Sequence, residues 1–178
     1  MDDAARLKAL FRELAGGRIE ALGELYDACA AELYGLALWN TGSVPAAEDV
    51  VQDVFVRLAD RPDALASVES PRAYLLAITY RAAIDRHRAR TRRPEQPLDE
   101  ALLVPVAALA PERGADARHV TAALRALPSR QRAALYLHFY AELSYTEIAR
   151  VTKVPTFTAA SRCREGLRAL RRLLEVPE

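Results

Sequence analysis

Histidine, cysteine and carboxylate are the side chains that would carry catalysis or hold a metal, and their spacing in this chain supports neither. His87, His119 and His138 are scattered without a recurrent ligand spacing, and Cys29 and Cys163 stand alone, outside any CxxC pattern. The two cysteines read as buried small residues. No Gly-rich phosphate loop, nucleophile elbow or pair of catalytic carboxylates occurs, so nothing in the sequence argues for an enzyme. Cationic charge is what the chain concentrates. Arg81, Arg86, Arg88, Arg90, Arg92 and Arg93 crowd one segment, Arg162, Arg164, Arg168, Arg171 and Arg172 crowd the C-terminus, and Glu48, Asp49 and Asp53 lie elsewhere. The formal net charge of +1 therefore conceals separate surfaces suited to different partners. Either basic run alone would equally suit a solvated helix face.

The stretch LSYTEIARVTKVPTFTAASRCR, residues 143–164, has more specific chemistry. Ser144 followed by Glu147 matches the S-x-x-E capping box, which starts a helix by satisfying its free backbone donors. Ile148, Ala149 and Val151 fall on its inner side, Thr152, Lys153 and Val154 make a turn, and Pro155 initiates a second helix. That helix exposes Thr156, Thr158, Ser161, Arg162 and Arg164, small polar and cationic groups that reach base edges and phosphates when a helix enters a groove of DNA. An αα-hairpin inside a bundle has the same periodicity, so the stretch by itself leaves both readings open.

The elements that must position these residues are helical. With 178 residues, 51% of them apolar, the chain can bury one domain or two small ones. Leu22, Leu25, Tyr26, Cys29, Leu33, Leu36 and Ala37 recur at spacings of three and four, one stripe of an amphipathic helix that ends at NTGSVP. Pro45 suits the first turn of the next helix, whose apolar stripe is Val50, Val51, Val54, Phe55 and Leu58. RPDALASVESP reads as a loop. Ser70-Pro71 starts a third long helix reaching about Arg90, with Tyr74, Ala77, Tyr80, Ala83, Ile84 and His87 inward. Four prolines and a glycine between Pro94 and Gly114 suit an extended tether. Beyond it, DARHVTAALRAL and PSRQRAALYLHFYAEL read as two helices interrupted at Pro128. The N-terminal MDDAARLKALF lacks a signal-peptide pattern, and no apolar run approaches the roughly 20 residues that span a bilayer, so a soluble cytoplasmic protein is expected.

PAAEDVVQDVFVRLAD, SPRAYLLAITYRAAIDRHRAR and LPSRQRAALYLHFYAELSYTEIA, in this order and with a short tether, resemble an extracytoplasmic-function sigma factor of bacterial RNA polymerase over nearly the whole chain. The resemblance implies an all-α fold of two small helical domains joined by a flexible linker. Residues 1–93 would be sigma region 2, 94–115 the linker and 116–178 the region 4 helix-turn-helix. It implies a non-catalytic subunit without a cofactor. Its partners would be core RNA polymerase through the β′ clamp helices and the β flap, promoter DNA, and an anti-sigma factor, with no membrane insertion.

The likeness also assigns residues. Asp49, Gln52 and Asp53, spaced three and four apart on one helical face, would meet the clamp helices. Arg72, Arg81, Arg86 and Arg88 would take phosphates of the non-template minus-ten strand, and the loop from Arg61 to Ser70 would pocket an extruded base. Thr156, Phe157, Thr158, Ser161, Arg162 and Arg164 would read the minus-thirty-five element. The chain departs from the family pattern in Ala59-Asp60, where a tryptophan and an arginine are frequent, and in Tyr80-Arg81, where an Arg-Asn pair is. Lys153 replaces a glycine in the turn at a cost of about 1 kcal/mol if the left-handed geometry is kept, and Ala160 replaces a lysine. Phe157 would either pack on a thymine methyl or shift its helix. Two weak DNA-binding domains on one enzyme gain affinity through effective concentration, and near-neutral charge agrees with poor binding to DNA alone. A sigma-like decoy that binds an anti-sigma factor without engaging promoters, and a single helix-turn-helix repressor, are the competing readings.

Overall fold

The computed structural model describes residues 3–91 and 114–174, and the greater part of the expected 94–115 tether lies outside them. Among the described residues the chain is helical, without strand. The helices are α1 (Asp3–Ala15), α2 (Glu20–Thr41), α3 (Val44–Asp60), α4 (Pro71–Thr91), α5 (Gly114–Ala126), α6 (Ser129–Phe139), α7 (Tyr145–Thr152) and α8 (Thr156–Leu174).

In the N-terminal half α2, α3 and α4 pack on one another and α1 closes the bundle across α2 and α4. Helix α1 was not foreseen, although Leu7, Leu10, Phe11 and Leu14 follow the helical spacing and are all buried. The expected stripes of α2 and α3 supply the core, with Leu25, Leu36, Val50 and Val54 0% exposed, except that Leu22 is half-buried and Tyr26 is 51% exposed at the edge of the stripe. Helix α2 ends where Gly42 adopts φ 69° and its N–H donates to the Leu38 carbonyl at 2.9 Å, a left-handed cap that glycine takes without a Cβ penalty. Ser43 then extends the chain into α3, with Pro45 in its first turn. The segment read as a loop holds a short 3-10 turn, Pro62–Leu65, which buries Leu65.

In the C-terminal half α8 packs on α6, α7 and α5. Helix α6 stops at Phe139, short of the expected Leu143, because the chain turns through Glu142 at φ 56°. The capping box forms as the sequence indicates: the Ser144 N–H donates to Glu147 Oε2 at 2.9 Å and the Glu147 N–H to Ser144 Oγ at 3.3 Å. Helix α7 ends at Lys153 in the left-handed conformation (φ 53°, ψ 51°), its N–H donating to the Ala149 carbonyl.

The two halves touch. Helix α6 lies on α2, and α7 lies on α4. Tyr136, 1% exposed, donates its hydroxyl proton to the Glu32 carbonyl at 2.8 Å, and its ring lies edge-on to Trp39 at 5.4 Å between centroids. A Cβ at Gly35 would come within 2.9 Å of the Tyr136 ring carbons and closer still to its hydroxyl, so only glycine lets the ring approach α2. Arg132 donates to Trp39 O at 2.6 Å and Asn40 O at 3.2 Å, at the C-terminus of α2, and to Arg125 O at 2.9 Å and Leu127 O at 2.7 Å, where α5 ends. One guanidinium thus satisfies orphan carbonyls at the negative ends of two helices, one from each half. Burial, with repulsion from Arg125, pulls its pKa down to about 10, so it stays cationic at neutral pH.

Candidate nucleic-acid interface

Three surfaces carry the residues singled out in the sequence. The first is the outer face of α3. Asp49 and Gln52 are exposed and Asp53 is half-buried, on one side of the helix as their spacing requires. Arg86 reaches across from α4, donating to Asp53 Oδ2 at 2.9 Å and to Asp49 Oδ2. These pairs are half-exposed, which limits their worth to about 1 kcal/mol or less each. Beside them an open groove of ≈ 680 Å³ runs between α2 and α3, lined by Leu22, Tyr26, Tyr34, Val51, Phe55 and Val56, with Gln52 and Glu48 at its rim. Tyr26 and Val56 are each 51% exposed, an apolar content uncommon on a surface without a partner. Tyr26 leans on Phe55 with ring centroids 5.0 Å apart. Burial, then the nearby Glu48 charge, raises the Tyr34 phenol pKa.

The second surface is α4 with the preceding loop. Arg61, Arg81 and Arg88 are exposed, and the Arg81 Nε donates to its own helix at Ala77 O, 3.1 Å. Arg72 is engaged: it donates to Glu32 Oε1 at 2.5 Å and Oε2 at 3.2 Å, and to the Ala141 carbonyl of the C-terminal half at 2.8 Å. The hydrogen bond to Glu32 raises its pKa. Arg72 and Arg86 are held in ion pairs, and Arg61, Arg81 and Arg88 are exposed. The 61–70 loop turns Leu65 inward and exposes Asp63, Ser67, Glu69 and Ser70 around Arg61.

The third surface is the start of α8. Thr156 is its first residue, Phe157 is 74% exposed, and Arg164 is exposed. Thr158, Ser161 and Arg162 are half-buried, and Ser161 Oγ donates to Glu165 Oε1 at 2.7 Å. Ala159 and Cys163, both 0% exposed, seat the helix, so Phe157 points outward and does not alter the packing of α8. Among the described residues no cluster of three or more His, Cys, Asp or Glu could hold a metal, and no helix is long and apolar enough to cross a membrane.

Two family models match this arrangement in order: sigma-70 region 2 over residues 25–93 and sigma-70 region 4 over residues 118–170. The ECF RNA polymerase sigma factor SigK of Mycobacterium bovis (strain BCG / Pasteur 1173P2) is 33% identical over 178 residues, covering 96% of this chain and 94% of that protein. The chain belongs to the extracytoplasmic-function sigma factors. SigK of Mycobacterium ulcerans is 29% identical, with coverage of 95% of this chain and 94% of that protein. Among solved structures, the sigma factor RpoE in complex with the anti-sigma factor NepR from Bartonella quintana superposes with a TM-score of 0.70 at 21% identity, over 90% of this chain and 100% of that one. CnrH in complex with the cytosolic domain of CnrY gives 0.70 at 22% identity, over 99% and 100%. At these identities the structural likeness speaks to the fold.

For this ECF sigma factor the sequence left two things unseen. The apolar groove draws Tyr26, which the periodicity places in the buried stripe of α2, and Tyr34, which lies outside that stripe. The pairing of Arg86 with Asp49 and Asp53 joins residues 37 and 33 positions apart and has no local signal.

Proposed function

We propose that residues 1–93 of this alternative sigma factor dock on the β′ clamp helices of core RNA polymerase through Asp49, Gln52, Asp53 and the adjoining α2–α3 groove. The observation that carries this reading is the groove itself: an open apolar cleft of ≈ 680 Å³ whose lining includes Glu48 and Gln52, suited to helices that bring apolar ridges and basic flanks. Arg61, Arg81 and Arg88 then take phosphates of the melted minus-ten strand. Arg86 serves chiefly to hold Asp49 and Asp53 in place, since its donors already point at two carboxylates. Residues 116–178, held by the β flap, place Thr156, Phe157 and Arg164 in the major groove at the minus-thirty-five element, where the exposed Phe157 ring meets thymine methyl groups. The chain supplies specificity and helps nucleate melting in the cytoplasm, and the polymerase performs nucleotidyl transfer. An anti-sigma factor would compete for the same surfaces.

The test is a competition for core polymerase between the labelled wild-type chain and Val56→Arg or Asp49→Ala/Asp53→Ala variants. Each variant is expected to lose tenfold or more in affinity with its helical content intact. Wild-type affinity in both would place the polymerase contact elsewhere.

A further inference from the structure

Helix α8 carries five arginines and a single carboxylate, Glu165. A carboxylate on a helix that meets DNA repels phosphates, and among the described residues Glu165 makes no ion pair with any arginine. Its oxygens are committed elsewhere. Ser161 Oγ, one turn earlier, donates to Oε1 at 2.7 Å, and Gln131 Nε2 reaches across from α6 to Oε2 at 3.4 Å. The two helices approach closely at this point, since a Cβ on the buried Gly166 would stand 3.1 Å from Leu135 Cδ1 and 3.4 Å from Gln131 Cβ. The reverse orientation of the Gln131 amide would set two acceptors against each other, so the amide turns its NH2 to Glu165.

Ser161 stands on the outward face of α8. At about 100° per residue it lies about 160° around the helix from both Ala159 and Cys163, which seat α8, and within about 60° of the exposed Phe157, Arg164 and Arg168. A serine hydroxyl has one proton, and here Glu165 takes it, so only lone pairs are left to meet a ligand. In the major groove an acceptor finds partners at adenine N6 and cytosine N4, whereas guanine N7 and O6 and thymine O4 are themselves acceptors. We propose that Glu165, braced by Gln131, locks Ser161 as an acceptor, so that Ser161 selects adenine or cytosine over guanine and thymine at one position of the minus-thirty-five element. This rests on the reading of α8 as the minus-thirty-five helix. Ser161 is the contact, and Glu165 and Gln131 are positioning residues. A serine without such a partner serves as donor or acceptor alike, and Glu165 removes that ambiguity.

The test starts from a promoter found by transcribing a genomic library with the holoenzyme of this chain. Its minus-thirty-five element is randomised, and transcripts are counted by sequence. With wild type, one position is expected to favour adenine or cytosine over guanine and thymine by about fivefold, the worth of one hydrogen bond. Ser161→Ala should abolish that preference. Glu165→Ala, which keeps the hydroxyl and frees its proton, should bring it to about twofold or less at the same position, and Gln131→Met should lower it by a smaller factor. Loss of the Glu165 charge also strengthens attraction to phosphates, but equally for every base, so the ratio at one position is insensitive to it. A purely structural role for Glu165 would shift the urea unfolding midpoint and leave the ratio unchanged. An unchanged ratio in Glu165→Ala, with the element still required for transcription, overturns the proposal alone. Wild-type transcription indifferent to the whole element overturns the reading of α8 together with the proposal.

Discussion

Lys153→Gly should stabilise the protein, and the structure sets by how much. Lys153 sits at φ 53° and ψ 51°, at the turn between α7 and α8. There an L side chain crowds the backbone at a cost of about 1–2 kcal/mol. The side chain itself is exposed, so its loss removes no packing. Glycine brings an opposing cost of about 0.5–1 kcal/mol, because it gives the unfolded chain more conformations to lose. The backbone bond from Val154 N–H to Ala149 O, 3.0 Å, is independent of the side chain and is retained. The difference is about 0–1.5 kcal/mol with a midpoint near 0.75 kcal/mol, which corresponds to a rise of roughly 1.5–3 °C in Tm for a chain of this size. Urea unfolding followed by circular dichroism would show a higher midpoint at unchanged slope. Lys153→Ala is the control, since it keeps Cβ and should gain nothing. A midpoint at or below wild type for Lys153→Gly, or an equal gain for Lys153→Ala, would refute the strain argument.

Three further outcomes follow from the same geometry. Hydrogen bonds from Ser144 hold the Glu147 carboxyl below its ordinary pKa, so its contribution to stability is complete above about pH 4.3, the unfolded value. It is lost as pH falls through the depressed folded value, and Glu147→Gln should flatten that acid limb in a pH series of unfolding midpoints. Burial raises the Cys29 thiol to about 12 and the Cys163 thiol to about 11, so neither should react with a thiol reagent at pH 8 until urea unfolds the chain. In the holoenzyme, Arg81→Ala should lower the salt dependence of single-strand binding by about 0.7 in log–log slope, one phosphate contact. Arg86→Ala should leave that slope unchanged, because its donors are taken by Asp49 and Asp53.

What the sequence disclosed was local. The Ser144–Glu147 capping box, the left-handed Lys153 and the Val50/Val54 stripe depend on neighbours within one or two turns, and the structure places all of them as read. Helix α1 is equally legible through Leu7, Leu10, Phe11 and Leu14, which follow the helical spacing. What stayed hidden was docking between distant segments. Gly35 looks like any helical glycine until Tyr136 occupies the space beside it, and Arg132 looks like a surface cation until two helix ends converge on it. Helix α4 packs on α1, α2 and α3 of its own half and on α7 of the other, and no stripe on one helix announces that last partner. The resemblance gives Arg86 as a phosphate partner, and nothing local in the sequence announces that Asp49 and Asp53 of another helix pair with it.

The most direct test is transcription by core polymerase on a genomic DNA library, with wild-type chain or Asp49→Ala/Asp53→Ala and with transcript starts mapped to the base. Starts that share two upstream motifs, present with wild type and lost with the variant, are the predicted result. Folded wild-type protein that yields no specific starts, while a control sigma factor is active on the same polymerase, would contradict the promoter-selective role and favour a decoy for an anti-sigma factor.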